Sequence, residues 1–278
     1  KARGHEFTYI VPGNGFFCEE SIYGKKITVP SIVLPFSGGY RIIRNNKDVK
    51  KLLITLKPDA LEISDRFTLS GVGQWAKKRN IHTVVFSHET LTGLVKSHFR
   101  FSFKKFVNWH NARLASRFNH VIATTAFAAK EFDGRGMDVR FVPLGVDTKT
   151  FCPQPRQGTS AHIELVYCGR FAPEKEPFLA VEALRELVAR GIEAKLTMVG
   201  SGPLEADLRT CAVGLPVEFV GQISSRSEVA ALLSHADVGI SMGSVETFGL
   251  SILETLACGT PVVVSKEGAA SEFVNSGI

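Results

Sequence analysis

From residue 163 onward, short apolar runs and amphipathic stretches take strict turns. The order is "IELVYCG", "EPFLAVEALRELVARG", "AKLTMVG", "PLEADLRTCA", "VEFVG", "RSEVAALLSHA", "DVGISM", a helix ending near Cys258, and "PVVVS". The strand-like runs are β-branched and short, and little in them alternates. Strands of that kind are buried on both faces. An intervening helix returns the chain to the same end of the sheet, so successive strands run parallel. The proline opening "PLEADLRTCA" suits a first helical position. The pattern predicts a parallel sheet covered by helices on both sides.

The first half alternates less cleanly. Strands are expected at Phe7–Val11, Lys26–Leu34, Ala60–Ile63, Thr83–Phe86, Val121–Ala123 and Arg140–Val142. Helices are expected at Lys47–Leu56, Leu69–Arg79, within Leu91–Phe118, and at Ala126–Asp133. The stretch "FCPQPRQGTSAH" (Phe151–His162) has two prolines, a glycine and no periodicity, which marks a linker. The expected organisation is therefore a first domain at 1–150, a linker at 151–162 and a second domain at 163–278. A length of 278 residues fits two domains at about 150 each. Two doubly wound units in one chain suggest a cleft between them, and such sheets bind ligands at the carboxyl ends of their strands.

Composition excludes several classes. With 44% hydrophobic and 22% charged residues the chain is globular rather than disordered. No run of 18 apolar residues exists to span a bilayer. Five scattered cysteines without a C-x-x-C pair suggest a reducing compartment and no structural zinc. Residues 1–150 hold 24 Lys+Arg against 12 Asp+Glu, a net of +12, and residues 151–278 hold 9 against 15, a net of −6, which sum to +6. Opposite signs suggest different partners, the first half's being anionic. Nucleic acid is not expected, because no recognised nucleic-acid motif accompanies the basic half. Both ends read as cut. Lys1, Arg3 and Gly4 resemble the exit of a helix, and "SEFVNSGI" closes with one residue of a further element.

Polar residues that directly follow strands are the site candidates. Arg170 and Lys175 share the loop after "IELVYCG", where they form a clamp for a pyrophosphate or a solvated basic loop neutralised by Glu174 and Glu176. After "AKLTMVG", Gly200 and the turn Ser201–Pro203 allow close approach to backbone N–H groups. After "DVGISM" comes "SVETFGLSILETLACGTPVVVS", with Glu246 and Glu254 eight residues apart around Phe248, Gly249 and Leu250. Ser251 and Glu254 spell S-x-x-E, a capping box that needs no ligand. Alternatively, the following helix directs its N-terminal N–H groups at an anion, while the two carboxylates take hydroxyls on either side of it. In the first half, Ser87, His88 and Glu89 follow the strand "HTVVF".

Taken together, "VPLGVDTKTF", "YCGRFAPEKEP", "MVGSGP", "FVGQIS" and "ETFGLSILETLACGTPVVVS" resemble the retaining glycosyltransferases of family 4. The stretches "EISDRFTL" and "VVFSHETL" resemble a bacterial subgroup of that family that uses GDP-mannose, some members with glycolipid acceptors. The resemblance implies an α/β chain of GT-B fold, two doubly wound Rossmann-like domains facing a cleft. It implies that Glu246 contacts the donor sugar, that Phe248, Gly249 and Leu250 offer backbone N–H groups, and that Glu254 binds the nucleotide ribose. Gly200 joins the donor site. Arg170 and Lys175 neutralise the departing diphosphate, and His88 reaches the cleft from the acceptor side. No cofactor and no metal are implied, since the nucleotide sugar is itself the substrate. The family's glycine-rich loop would precede Lys1, and its closing helices would follow Ile278.

The implied reaction moves a hexose, mannose from GDP-mannose by the subgroup likeness, to an acceptor hydroxyl with front-face retention. An epimerase of the same fold would share the nucleotide site. Between Thr90 and Lys130 there is no Asp or Glu, and Lys96, Arg100, Lys104 and Lys105 are interleaved with Phe99, Phe101, Phe103, Phe106 and Trp109. A basic, aromatic helix of this kind suits an anionic membrane surface and a lipid-linked acceptor, although the aromatics also suit a helix packed on the sheet. The expected location is the cytoplasm, with peripheral attachment to the inner face of the membrane.

Overall fold

The computed structural model describes every residue except 1–3, 23, 34–40, 44, 88–103, 135, 156–160 and 275–278, and describes 104–106 and 115 by backbone alone. The chain opens with strands β1 (Thr8–Gly13), β2 (Phe17–Ser21), β3 (Gly24–Pro30), β4 (Ile32–Val33) and β5 (Arg41–Ile42), then helix α1 (Asn46–Leu56). There follow β6 (Ala60–Ile63), α2 (Ser70–Lys77), β7 (His82–Ser87), α3 (Lys104–Arg117), β8 (His120–Ala123), α4 (Ala126–Ala129) and β9 (Val139–Phe141). The later elements are β10 (Ile163–Cys168), α5 (Phe178–Ala189), β11 (Ala194–Val199), α6 (Glu205–Cys211), β12 (Val217–Gly221), α7 (Arg226–His235), β13 (Val238–Ser241), α8 (Leu250–Ala257) and β14 (Val262–Val264). Contacts divide the chain into two compact units. The first is Lys1–Ser87, Asn108–Ile122 and Phe132–Arg140, and the second is His88–Val107, Ala123–Glu131 and Phe141–Ile278.

The second unit holds a five-stranded sheet in the order β12-β11-β10-β13-β14, parallel at every pairing. Its strands alternate within the sheet in a way the continuous apolar runs concealed. Leu165, Tyr167, Leu196 and Met198 face one layer with Ala180, Val181 and Leu184 of α5 and Leu208 of α6. Val166 and Val199 face the other layer with Ala230 and Leu233 of α7, Cys258 and Phe151. Burying each Leu or Met side chain contributes about 1.5–3 kcal/mol, so two clad faces explain why apolar residues dominate these runs.

The first unit is α/β too, but it is not one parallel sheet. Strands β6-β7-β8-β9 form one sheet, β1-β3-β2 a second and β4-β5 a third. β1 runs parallel to β3, whereas β2 pairs with β3 as an antiparallel hairpin. Two strands, β2 and β5, were not foreseen, and the run expected at Lys26–Leu34 is broken at Ser31 into β3 and the short β4. The reason is solvent exposure. "FCEES" is exposed along its whole length, so burial imposes no apolar pattern on it. Its turn is recognisable only from Gly24, at φ 142° with Phe7 O 2.5 Å from where a Cβ would lie. The core beneath gathers Ile27, Val29, Ile43, Val49, Leu53, Ile63, Val72, Val85, Leu114, Phe118, Val121 and Phe132. The helix expected at Ala126–Asp133 is shorter: four residues, then a 3-10 turn at Lys130–Phe132.

Candidate active site

In the five-stranded sheet the chain moves outward from β10 to β11 and β12, then returns to β10's other side as β13 and β14. The order reverses between β10 and β13, and ligands of such sheets bind at the carboxyl ends of the strands flanking that reversal. The loops leaving β10, β11, β13 and β14 carry the residues considered below.

The loop after β10 is held from beneath. Tyr167 is buried, and its hydroxyl donates to the Arg170 carbonyl at 3.1 Å. Burial, with the nearby carboxylates of Glu174 and Glu246, pushes that phenol well above its ordinary range, so it stays a donor. Arg170 is exposed at the loop's crest. A 3-10 turn, Pro173–Lys175, follows and ends at Glu176 in the left-handed region, φ 48°. Lys175 does not pair with its flanking glutamates. Its ammonium donates to the Glu246 carboxylate, 71 residues away. Glu176 instead accepts from the Ser244 backbone N–H at 3.3 Å and from its hydroxyl. The local-neutralisation reading of this loop is therefore ruled out for Lys175.

The loop after β13 is fastened along its length. A Cβ on Gly243 would lie 3.0 Å from Glu174 O, so this loop rests on the 3-10 turn. Ala269 N–H donates to Glu246 O at 2.9 Å. Thr247 O accepts from the hydroxyls of Thr124 at 3.2 Å and Thr125 at 2.6 Å. Thr125 also accepts from Ala128 N–H as the N-cap of α4, whose Ala126 and Phe127 N–H groups donate to Glu272. Phe248 is buried against Phe273, ring centroids 5.9 Å apart. Gly249, at φ 82°, then starts α8. Only glycine adopts that angle freely, and a Cβ there would meet Ile252 Cδ1 at 2.7 Å.

Gly249 is the N-cap of α8, with no side-chain cap, so Ser251 is the second residue inside the helix. The capping-box reading of Ser251 and Glu254 is thereby excluded. An S-x-x-E serine does cap a helix elsewhere, at Ser225, whose hydroxyl accepts from Glu228 N–H at 3.3 Å to start α7. Among the described residues, the N–H groups of Phe248, Gly249, Leu250 and Ser251 have no hydrogen-bond acceptor. The first N–H groups of a helix carry its positive dipole end, and an anion is their natural partner.

Each carboxylate of the pair has a cation. Glu246 has Lys175, and Glu254 has Arg226 at 3.7 Å. Glu254 is 15% exposed. Burial raises its pKa above the ordinary carboxylate value, and Arg226 opposes that rise. Gly200 has a structural explanation of its own. It sits at φ 138°, and a Cβ would lie 2.0 Å from Gly169 O, where the ends of β10 and β11 converge. Its N–H donates to Gly221 O at 2.8 Å.

His88, Lys96 and Arg100 lie outside the described residues, and of Lys104 and Lys105 only the backbone, at the start of α3, is described. Sequence reasoning missed Tyr167, Thr124, Thr125, Arg226 and Glu272. None carries a local signal for this role beyond the N-cap character of Thr125: Tyr167 bonds a backbone carbonyl, which any residue could supply, and the others act across 28 to 146 positions of chain. Among the described residues, no group of three or more His, Cys, Asp or Glu is arranged to hold a metal ion, and no helix is long and apolar enough to cross a membrane.

Comparisons with known proteins agree with this geometry. Residues 1–150 match the family described as Glycosyltransferase Family 4, and residues 156–278 match Glycosyl transferases group 1. A GDP-mannose-dependent alpha-(1-6)-phosphatidylinositol dimannoside mannosyltransferase of Mycobacterium tuberculosis is 42% identical over 99% of this chain and 74% of its own length. Among solved structures, the Anabaena protein HepE in complex with UDP and glucose superposes with TM-score 0.72 at 18% identity, covering 92% of this chain and 71% of its own. Sucrose-phosphate synthase from Thermosynechococcus elongatus gives 0.71 at 21% identity, covering 96% and 73%. These structures share the GT-B architecture of two Rossmann-like α/β domains. The chain is a glycosyltransferase, a member of the family 4 enzymes of GT-B fold.

Proposed function

We propose that this enzyme transfers a mannosyl group from GDP-mannose to a hydroxyl of a phosphoinositide-type glycolipid, with retention of anomeric configuration and without a metal ion. The observation that carries the site is the paired arrangement at the start of α8. Lys175 reaches Glu246, and four adjacent N–H groups, Phe248 to Ser251, have no acceptor among the described residues. The choice of donor and acceptor is supported by the 42% identity to the mycobacterial mannosyltransferase.

In this reading the donor's diphosphate lies against the N-terminus of α8, Arg170 and Lys175. Glu246 accepts hydroxyls of the sugar and Glu254 those of the ribose. The barrier is departure of the diphosphate from an oxocarbenium-like sugar. Positive groups already in place stabilise the charge as it develops, without having to reorganise. Lys175 would then exchange its bond to Glu246 for one to phosphate, which frees Glu246 for the sugar as the donor seats. The leaving phosphate oxygen takes the acceptor's proton, and His88 contributes from the acceptor side. The basic, aromatic segment around Lys96, Arg100, Lys104 and Lys105 brings the enzyme to an anionic lipid surface on the cytoplasmic face.

The test is a thermal-shift panel of GDP, UDP and ADP on the full-length protein, followed by transfer from the favoured nucleotide's sugar to a phosphatidylinositol mannoside. GDP should raise the midpoint most, by mass action. A larger shift with UDP would overturn the donor. Sedimentation with anionic vesicles should fall with salt and with the Lys104→Glu, Lys105→Glu pair. Equal sedimentation with neutral vesicles would overturn the membrane arm.

A further inference from the structure

Glu254 is in an awkward position for a carboxylate meant to receive hydroxyls. It rises from α8 with only 15% of its side chain exposed. The groups facing it come from three elements. Cys168 lies at the end of β10, and its thiol is pushed up to about 11, by burial first and by the Glu254 charge second. Cys258, further along α8's own chain, is raised by burial and senses the same charge. Arg226, from the start of α7, is the cation within ion-pair distance, at 3.7 Å. Both thiols are neutral, so of these groups Arg226 alone brings counter-charge to the carboxylate.

Arg226, whose side chain is 60% exposed, is steadied by one ring. Its guanidinium lies 5.1 Å from the centroid of Phe151, a ring that is 2% exposed. An arginine over an aromatic face is held there at about 0.5–1 kcal/mol in exposed settings. Asp147 also faces Arg226, but that carboxylate is already occupied by Lys149 N–H at 3.1 Å, and Thr150 hydroxyl at 2.8 Å. Phe151 therefore keeps Arg226 beside Glu254, while Asp147 senses the same guanidinium.

We infer that Arg226 is a positioning residue for the nucleotide: it holds the Glu254 carboxylate in place and ionised, ready to accept both hydroxyls of a ribose diol. This rests on Glu254 being the ribose contact. A carboxylate accepts from two hydroxyls at once, whereas a carboxylic acid must spend one oxygen on its own proton. Loss of Arg226 removes the influence that opposes burial, so Glu254 takes up a proton at a higher pH. Nucleotide affinity then falls as pH falls.

The experiment measures, by calorimetry on the full-length protein between pH 5.5 and 8 (roughly a pK unit or more above ordinary Glu), the binding of whichever of GDP, UDP and ADP the wild type binds most tightly. Wild type should show only the dependence set by the nucleotide's own terminal phosphate, which titrates at about pH 6, and each variant is read relative to it. Arg226→Met should lose about tenfold at the acid end for each unit by which Glu254 rises, and recover toward wild type at pH 8. Arg226→Lys, which keeps the charge, should restore a profile parallel to wild type. Arg226→Met combined with Glu254→Gln should bind no worse than Glu254→Gln alone. An Arg226→Met profile parallel to wild type, or an equal loss at every pH, overturns the inference and leaves Arg226 a packing residue. If instead Glu254→Gln binds like wild type at every pH, or none of the three nucleotides binds, the ribose reading fails first.

Discussion

The sheet of the second unit and the β1-β3-β2 sheet of the first are built from strands of similar length, yet they manage their faces in opposite ways. Leu196 and Met198 in the second have no exposed surface, whereas Phe7, Tyr9 and Phe17 in the first are 48%, 52% and 62% exposed. Close backbone approach occurs in both, at Gly24 in the first unit's sheet and more tightly at the strand ends of the second, but not in the loops of the first unit. A Cβ on Gly200 or Gly202 would strike backbone of the neighbouring loop at 2.0 and 2.4 Å. A Cβ on Gly134 or Gly136 would meet nothing within 4 Å, although both have positive φ. The second unit thus has its strand-end loops locked against one another. That rigidity is what a site acting through fixed charges and N–H groups needs, because donors that must first reorganise stabilise little.

If crowding is the difference, Gly200→Val should separate the units most sharply. It combines a disallowed φ with a backbone collision, and a loss of about 4 kcal/mol or more is expected in urea unfolding of the second unit. Gly136→Ala, strained but uncrowded, should cost the first unit about 1 kcal/mol. Equal effects would show that φ alone matters and that the packing of the strand-end loops is incidental.

Arg170→Ala and Lys175→Ala come next. Each should lower kcat/KM by about 2–4 kcal/mol in transition-state stabilisation, as expected for one preorganised donor. Stability should change far less, because Arg170 is exposed and the Lys175 side chain is one-third exposed. Full turnover in the double variant would remove the diphosphate clamp. Glu246→Gln should then lower transfer while leaving nucleoside diphosphate binding within about threefold, since a neutral amide still accepts a hydroxyl but not as strongly as a charged group. A variant that loses nucleotide and keeps transfer would reverse the roles of the two glutamates. Smallest of all, Phe17→Ser on the exposed strand should alter stability by no more than about 0.5 kcal/mol. A loss of several kcal/mol would mean that this aromatic face is covered in the protein's working state.

Much of the second unit was legible because burial on both faces imposes a pattern. Strand and helix boundaries there fall within a few residues of the expected ones, and the reversal of strand order follows from helices that must clad both faces. The first unit was less legible for the converse reason. "FCEES" faces water along its length, so nothing in its composition separates it from a loop. The candidate site was legible as a set of strand-end residues, Arg170, Lys175, Glu246, Gly249 and Glu254, because the carboxyl ends of parallel strands are where such folds place their chemistry. The roles inside that set were less so. S-x-x-E at Ser251 spells a capping box as well as S-x-x-E at Ser225 does, and of the two serines only Ser225 caps a helix. The choice turned on Gly249, whose left-handed φ begins the helix two residues before Ser251.

The amino-acid sequence by itself determined the α/β class, the parallel arrangement of the second unit, the family, and which strand ends carry charge. The family follows from the resemblance of its motifs, and the rest from periodicity and local chemistry, which a linear chain records directly. Only the tertiary structure decided the partners: Lys175 with Glu246 rather than with Glu174 or Glu176, Glu254 with Arg226, and Thr247 with Thr124 and Thr125. Those pairs join positions 28 to 123 residues apart, as Glu254 is to Arg226 and Thr247 to Thr124. A carboxylate attracts any cation about equally along the sequence, and which cation arrives is settled by the packing of the loops that carry them.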